Sequence, residues 1–418
     1  VKVAVVGGGV SGLVAAHLLS RRFEVHLFEA GGRLGGHTRT VTVEEGGRRL
    51  PVDMGFIVYN RRNYPLFSRL LDHLGVATAE SDMSFSVRCE RTGLEWNGSS
   101  LGGVFAQRRN LLRLSFHRML WGALRFHRSA RRLAVDGIGA GAEPTLGAFL
   151  ETEGLRGPVV DHYLVPMTSA IWSAEPEQML DFPVRPLATF LHRHGLLELR
   201  GRPRWRYLPG GSSSYLEPLA APFRSRVVLG RPVARLRRRP EGVEVELADG
   251  GGGRFDRAVL ATHSDQALAL LGDGATDAER EVLGAIRYQE SEVVLHTDRS
   301  FLPRRRRAWA SWNYHLNAPG EGSGVRVTYL MNRLQRLDAE RCYCVTLNRT
   351  AEIDPDRVLE RASMSHPVYD RAAVAAQHRW PEVSRGRVHF CGAYWGYGFH
   401  EDGVASGARV ASALGVEW

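Results

Sequence analysis

Residues 1–37 constrain the fold more than any other stretch of the chain. An apolar run (Val3, Ala4, Val5, Val6) leads into Gly7-Gly8-Gly9-Val10-Ser11-Gly12, then a helical segment, then a second apolar run ending at Glu29-Ala30. This order describes a strand, a glycine turn, a helix and a second, parallel strand. Gly7 suits a tight turn, Gly9 lets backbone approach a pyrophosphate, and Gly12 lets the helix sit close to the strand. The free N–H groups at the helix start, around Val10 and Ser11, face the phosphates. Glu29 stands where a carboxylate can hold ribose hydroxyls. The pattern predicts a bound dinucleotide.

Which dinucleotide depends on the next few residues. Gly32-Arg33-Leu34-Gly35-Gly36-His37 follows the second strand directly, a second glycine loop that a nicotinamide domain does not need. With Val52-Asp53-Met54-Gly55-Phe56, the strand end Val259-Leu260-Ala261-Thr262, and the closing Gly392-Ala393 and Gly403-Val404 segments, it resembles the flavin amine oxidase superfamily. The resemblance implies non-covalent FAD, with Val233 beside the adenine. It also implies that the helix starting near Asp402 points its N-terminus at the flavin edge where reduction places negative charge. The implied fold is α/β, a discontinuous Rossmann-like FAD-binding domain (1–60, 208–275 and 384–418) with a mixed α+β substrate domain (61–207 and 276–383).

Two residues depart from the superfamily pattern. Many amine oxidases use a lysine to hold water at flavin N5, yet Lys2 is the only lysine here and lies in the first strand. Ala393 follows Gly392 where an acidic residue usually stands. The departures weigh against an amine substrate and against one FAD hydrogen bond, but not against FAD itself.

The Tyr394-Trp395-Gly396-Tyr397-Gly398-Phe399-His400 run supplies rigid aromatic walls beside the flavin. His400, Tyr397 and Tyr394 are the candidate catalytic residues, with His400 the expected acid–base group at neutral pH. Glu401 and Asp402 are expected to cap the last helix. Tyr59, Asn60, Trp172, Trp312 and Tyr314 are weaker pocket candidates. His192-x-His194 lacks a third metal partner and reads as surface; no metal site is expected. The run from Gly392 to Gly403, with Asp53 to Phe56 and Asn60, resembles a bacterial subgroup linked to methyl-branched and furan fatty acids. The implied substrate is a hydrophobic molecule or lipid, oxidised by hydride transfer to flavin N5. A polyene-type desaturase or isomerase, an amine oxidase and a non-catalytic flavoprotein partner stay open as alternatives. A second G-x-G-x-x-G after a strand is absent, so the expected electron acceptor is O₂, a quinone or a carrier protein.

The net charge of +10 is almost entirely arginine and accompanies no nucleic-acid motif, so no nucleic-acid partner is expected. Residues 110–133 have helical periodicity, with Leu112, Phe116, Met119, Ala123, Phe126 and Ala130 on one face and Arg118, Arg125, Arg128 and Arg132 opposite, Trp121 among them. That pattern fits either ordinary core packing or a basic helix lying on a lipid surface. Arg304–Arg307 reads as a solvated loop. Gly137–Pro144 reads as an exposed loop, and Asp249–Gly253 as a hairpin turn. The four cysteines lack zinc or redox spacing and are expected as free thiols. The opening on a core strand, with no apolar leader, gives a cytoplasmic expectation, with a lipid-surface contact through 110–133.

Overall fold

The structure is a computed structural model that describes residues 1–136, 143–172, 176–198, 201–316, 326–348 and 350–418. The expected loop at Gly137–Pro144 lies largely outside these residues.

The apolar run near the N-terminus forms strand Lys2–Val6, at the centre of a five-stranded parallel sheet. Its neighbours are Glu24–Glu29 on one side and Arg257–Leu260 on the other. Val227–Leu229 and Val388–Phe390 complete the two edges. Strands buried on both faces read as continuous apolar runs, which is how Val3 to Val6 and Ala258 to Leu260 look in the sequence. Helix Val10–Leu19 covers one face and crosses the last helix, His400–Ala413. At the crossing, a Cβ on Gly407 would lie 2.4 Å from the Ser11 carbonyl oxygen, and one on Gly403 would lie 2.6 Å from Val10. The two backbones approach as closely as they do because these positions carry no side chain.

The segment around the expected hairpin turn at Asp249–Gly253 is finely divided. Val233–Arg239, Gly242–Leu247 and Gly252–Phe255 form a separate antiparallel sheet before Arg257–Leu260 enters the parallel one. Gly252 and Gly253 belong to a strand; the turn itself is shorter, with Gly250 at φ +85°. A glycine-rich strand has no apolar alternation, so its sequence looks like a turn.

A second body is built on a seven-stranded mixed sheet. Its longest strands, Arg287–His296 and Val358–Val368, pair antiparallel, while Phe85–Cys89 and Trp312–Leu316 pair parallel. A helical layer from 114 to 197 packs its own apolar core around Phe126, Leu187, Phe190 and Leu191. All four cysteines are free. Among the described residues, no helix is long and apolar enough to cross a membrane.

Within that layer, helix Leu114–Asp136 buries Phe116, Met119, Phe126 and Ala130. The apolar stripe is therefore core packing and is not available to lipid. Leu112 falls outside the stripe and is 90% exposed, because the helix proper starts two residues later and 108–112 is a tighter turn of different pitch.

Candidate functional site: two glycine loops and an aromatic wall

The phosphate loop is shaped by what each glycine permits. Gly7 has φ +109°, and a Cβ there would lie 2.7 Å from the Ala261 carbonyl. A Cβ on Gly12 would meet the Gly7 carbonyl oxygen at 2.0 Å. Gly9 differs: it caps helix Val10–Leu19 with no side-chain hydrogen bond, and a Cβ on it would meet nothing within 4 Å. Two of the glycines hold the loop together, and the third leaves open a cradle at a helix N-terminus. A diphosphate fits that combination of uncapped N–H groups and clear space.

The second glycine loop docks on the first. Gly35 bridges Gly9, its N–H donates to the Gly8 carbonyl at 2.8 Å, and Gly36 has φ +56°. Arg33 donates to the carbonyls of Thr38, Gly36 and Leu34, so its guanidinium ties the loop from inside. Glu29 accepts from the N–H of Gly8 and of Gly31, both at 2.7 Å. It thus clamps the two loops at the end of its strand, next to exposed Ala30 and across from Gly230, whose N–H bonds the Gly31 carbonyl. Val233 lies three residues beyond, half-buried at the start of its strand.

Gly55 is required where it stands: a Cβ would lie 1.9 Å from the His37 carbonyl oxygen. Met54 is buried and its N–H donates to Arg39, while the Phe56 N–H donates to His37. Beneath them Asp53 is fully buried. Its carboxylate accepts from Thr40, from the N–H and hydroxyl of Ser212, and from Gln335. Burial outweighs these bonds and pushes its pKa up to about 7.

The aromatic run crosses from one core to the other. Gly392 and Ala393 lead in, with the Gly392 N–H on Ser406. Tyr394 and Trp395 are buried in the core of the parallel sheet, while Tyr397 and Phe399 pack against the helical layer. Phe399 stacks on Phe190, with ring centres 4.7 Å apart, and Phe190 stacks on His194 at 3.8 Å. Gln377 donates to the carbonyls of Tyr394 and Gly396 and pins the turn.

Both capping carboxylates cap, but only one caps its own helix. Asp402 accepts from the N–H groups of Phe399 and Tyr397 and is raised by burial to about 7. Glu401 accepts from Leu66 and Phe67, at the start of helix Pro65–Leu74. Gly403 and buried Val404 follow at the crossing with helix Val10–Leu19. With its carboxylate spent on its own loop, Asp402 fixes the start of the last helix and does not itself face outward.

His400 has a different character from the expected acid–base group. Its ring stacks flat on Phe56 at 3.8 Å, meets the edge of Phe67 at 4.7 Å, and its Nε2 is 2.8 Å from the Tyr215 hydroxyl. Tyr215 in turn lies 3.1 Å from the Thr38 hydroxyl. Burial lowers the His400 pKa to about 3, with a further push from His37. It is neutral at pH 7 and a weak base. Burial also raises Tyr394 and Tyr397, so both stay protonated as hydrogen-bond donors.

Three imidazoles were not foreseen as a group. His37 lies 5.4 Å from His366 and 5.9 Å from His263, and His263 stacks on Tyr288 at 4.4 Å. Burial drives His37 to about 3 and His366 to about 4, so they form a neutral polar rim. His263 directly follows Ala261-Thr262, so its position was within reach of the sequence; His366 arrives on a remote strand. His194 is corrected outright: it is half-buried between Phe190 and Trp205, not on the surface. Its i, i+4 spacing from Phe190 carried that signal. Among the weaker candidates, Tyr59 and Trp172 are buried with no partner among the described residues on the hydroxyl or indole N–H, and Asn60 accepts from the Asn63 backbone N–H through its Oδ1. Trp312 and Tyr314 lie in the seven-stranded sheet, against Tyr329 and in its core.

The model of the flavin containing amine oxidoreductase family matches residues 10–415. The chain belongs to this family. It is an FAD-dependent oxidoreductase, and the glycine cradle, the Glu29 clamp and the last helix are the residues that would hold the cofactor. Solved structures of the same fold include cyclohexylamine oxidase from Brevibacterium oxydans IH-35A (TM-score 0.67, 18% identity, covering 99% of this chain and 98% of that one). A CLA-producing fatty acid isomerase from P. acnes is similar at TM-score 0.69 and 15% identity, covering 99% and 97%. Putrescine oxidase bound to putrescine reaches TM-score 0.65 and 16% identity, covering 99% of each chain. No curated protein sequence matches.

Proposed function

We propose that this family member is a desaturase of an unsaturated or methyl-branched fatty acyl chain. One observation carries the reading: the walls converging on the last helix are aromatic rings and neutral imidazoles, and the only lysine lies far off at the start of the first strand, with its Nζ 3.7 Å from Glu24. A protonated amine would find there only the carboxylates of Glu401 and Asp402, already bonded to backbone N–H groups, whereas the methylenes of an acyl chain would lose nothing on leaving water. When bound, FAD supplies a two-electron hydride acceptor. The protein's share is to exclude water and to orient the chain with the half-buried rings of Phe56, Tyr397 and Phe399.

A second reading follows from the proton. Desaturation removes a hydride and a proton, so it needs a base, but burial that lowers the His400 pKa to about 3 leaves it a weak proton acceptor, and the tyrosines stay protonated. A double-bond isomerisation, in which the hydride returns to another carbon, needs none. The likeness to a fatty acid isomerase fold is compatible with it. Incubation with a defined unsaturated acyl substrate, followed by mass analysis, tests both. A product lighter by two hydrogens supports the desaturase; an unchanged mass with a moved double bond supports the isomerase. Unaltered lipid, with aldehyde formed from an added amine, removes both.

A further inference from the structure

Large apolar side chains that face solvent are concentrated on one part of this molecule. Leu101 is 80% exposed, Leu112 90%, Leu114 74% and Trp121 69%, and Leu111 is exposed beside them. All five come from one stretch, through the short helix Leu101–Val104, the turn Arg108–Leu112 and the first turns of helix Leu114–Asp136. Scattered exposed leucines need no explanation, but a cluster of this kind marks a binding surface.

The same stretch borders a strongly basic concavity of about 590 Å³. Arg108 and Arg109 form one wall and Arg304 to Arg307 the other, and among the described residues no acidic side chain lines it. The arginine loop is held in place by a buried carboxylate: Glu95 accepts the Arg304 N–H at 2.8 Å and the Arg305 N–H at 3.1 Å. That contact spends Glu95 on backbone, so it does not neutralise the guanidiniums; Arg109 donates to the Gly93 carbonyl at 2.8 Å. Among the described residues only Arg304 reaches a carboxylate, Glu90, at 3.4 Å, and Arg306 lies over Trp309. So many like charges around one hollow repel each other unless an anion enters, and guanidinium forks match phosphate oxygens.

Apolar crest and basic hollow together choose the occupant. A nucleic acid would satisfy the arginines but leave the leucines against a charged backbone. An acidic protein surface would satisfy the arginines but set the leucines against charged, hydrated carboxylates. An anionic bilayer satisfies both: phosphates meet the arginines while leucines and tryptophan enter the boundary between headgroups and acyl chains. We propose that this face, from Leu101 to Trp121 with Arg108, Arg109 and Arg304 to Arg307, docks the protein on an anionic lipid surface. It uses the opposite side of helix Leu114–Asp136 from its buried stripe. The proposal does not depend on which substrate is oxidised.

Co-sedimentation of the FAD-loaded protein with vesicles tests it without any activity assay. The protein should pellet with phosphatidylcholine vesicles containing phosphatidylglycerol and not with phosphatidylcholine alone. Binding should fall steeply between about 50 and about 500 mM salt. The double variant Arg305→Glu/Arg307→Glu should weaken it by roughly tenfold or more, since each charge near an anionic surface is worth about fivefold. Leu112→Asp/Leu114→Asp should weaken it comparably at low salt, with the bound-flavin spectrum unchanged. Equal binding to neutral vesicles would overturn the proposal. So would leucine variants that bind as the parent does, because the hollow would then be only an anion site, open to phosphate or nucleic acid.

Discussion

Asp53 and Gly9 exert opposite kinds of control at the scale of single residues. Asp53 is buried and joins the first hairpin, the Ser212 loop and Gln335 through four hydrogen bonds to its carboxylate. In Asp53→Asn the new amide N–H₂ would face either the Gln335 amide, which already donates there, or the Thr40 and Ser212 donors. The expected loss is about 1–3 kcal/mol, read from urea unfolding; an unchanged midpoint would refute the hub. Gly9→Val should do the reverse. Nothing lies within 4 Å of a Cβ there, so the chain should fold, yet the visible flavin absorbance should vanish because the side chain fills the phosphate cradle. Circular dichroism and absorbance on one sample separate the two effects. Gly12, whose Cβ would strike the Gly7 carbonyl, could be read from the sequence together with Gly9. Asp53's role could not, because its partners Ser212 and Gln335 lie 159 and 282 residues away.

Elements show a similar division. The strand–loop–helix–strand unit was legible because a parallel buried sheet and a glycine turn write themselves locally in sequence. The stripe of helix Leu114–Asp136 was legible for the same reason, since helical periodicity reports which side is buried. What sequence missed is contact between elements: Glu401 caps helix Pro65–Leu74 rather than its own, and His194 is drawn into an aromatic stack with Phe399. The crossing of the first and last helices gives the clearest test at this scale. Gly407→Leu would drive a side chain into the Ser11 carbonyl and push the helices apart. Stability and FAD retention should be lost together, as measured by melting and by flavin released on gel filtration. Retained FAD at a lowered melting point would mean that the crossing does not position the cofactor.

Over the whole molecule, burial sets the response to pH. His37 and His400 are lowered to about 3, and His127, His194, His296 and His366 to about 4. Each is neutral in the native state but takes a proton when unfolded below its ordinary value of about 6.5, so each lowers stability as pH falls through that window. Asp53 and Asp402, raised to about 7, act oppositely: the native state keeps protons that the unfolded chain releases above about pH 4. The histidines outnumber them, so the melting temperature of the FAD-free protein should fall between pH 6.5 and pH 4.5. A flat or rising curve would mean that the imidazoles are not buried as described. The central claim, that an apolar carbon rather than an amine is oxidised against this aromatic wall, is tested most directly by anaerobic mixing. The FAD-loaded protein is combined with an unsaturated fatty acid in one syringe and with a primary amine in another, and the flavin absorbance is followed. The account predicts bleaching by the lipid and none by the amine; bleaching by the amine with none by the lipid would contradict it.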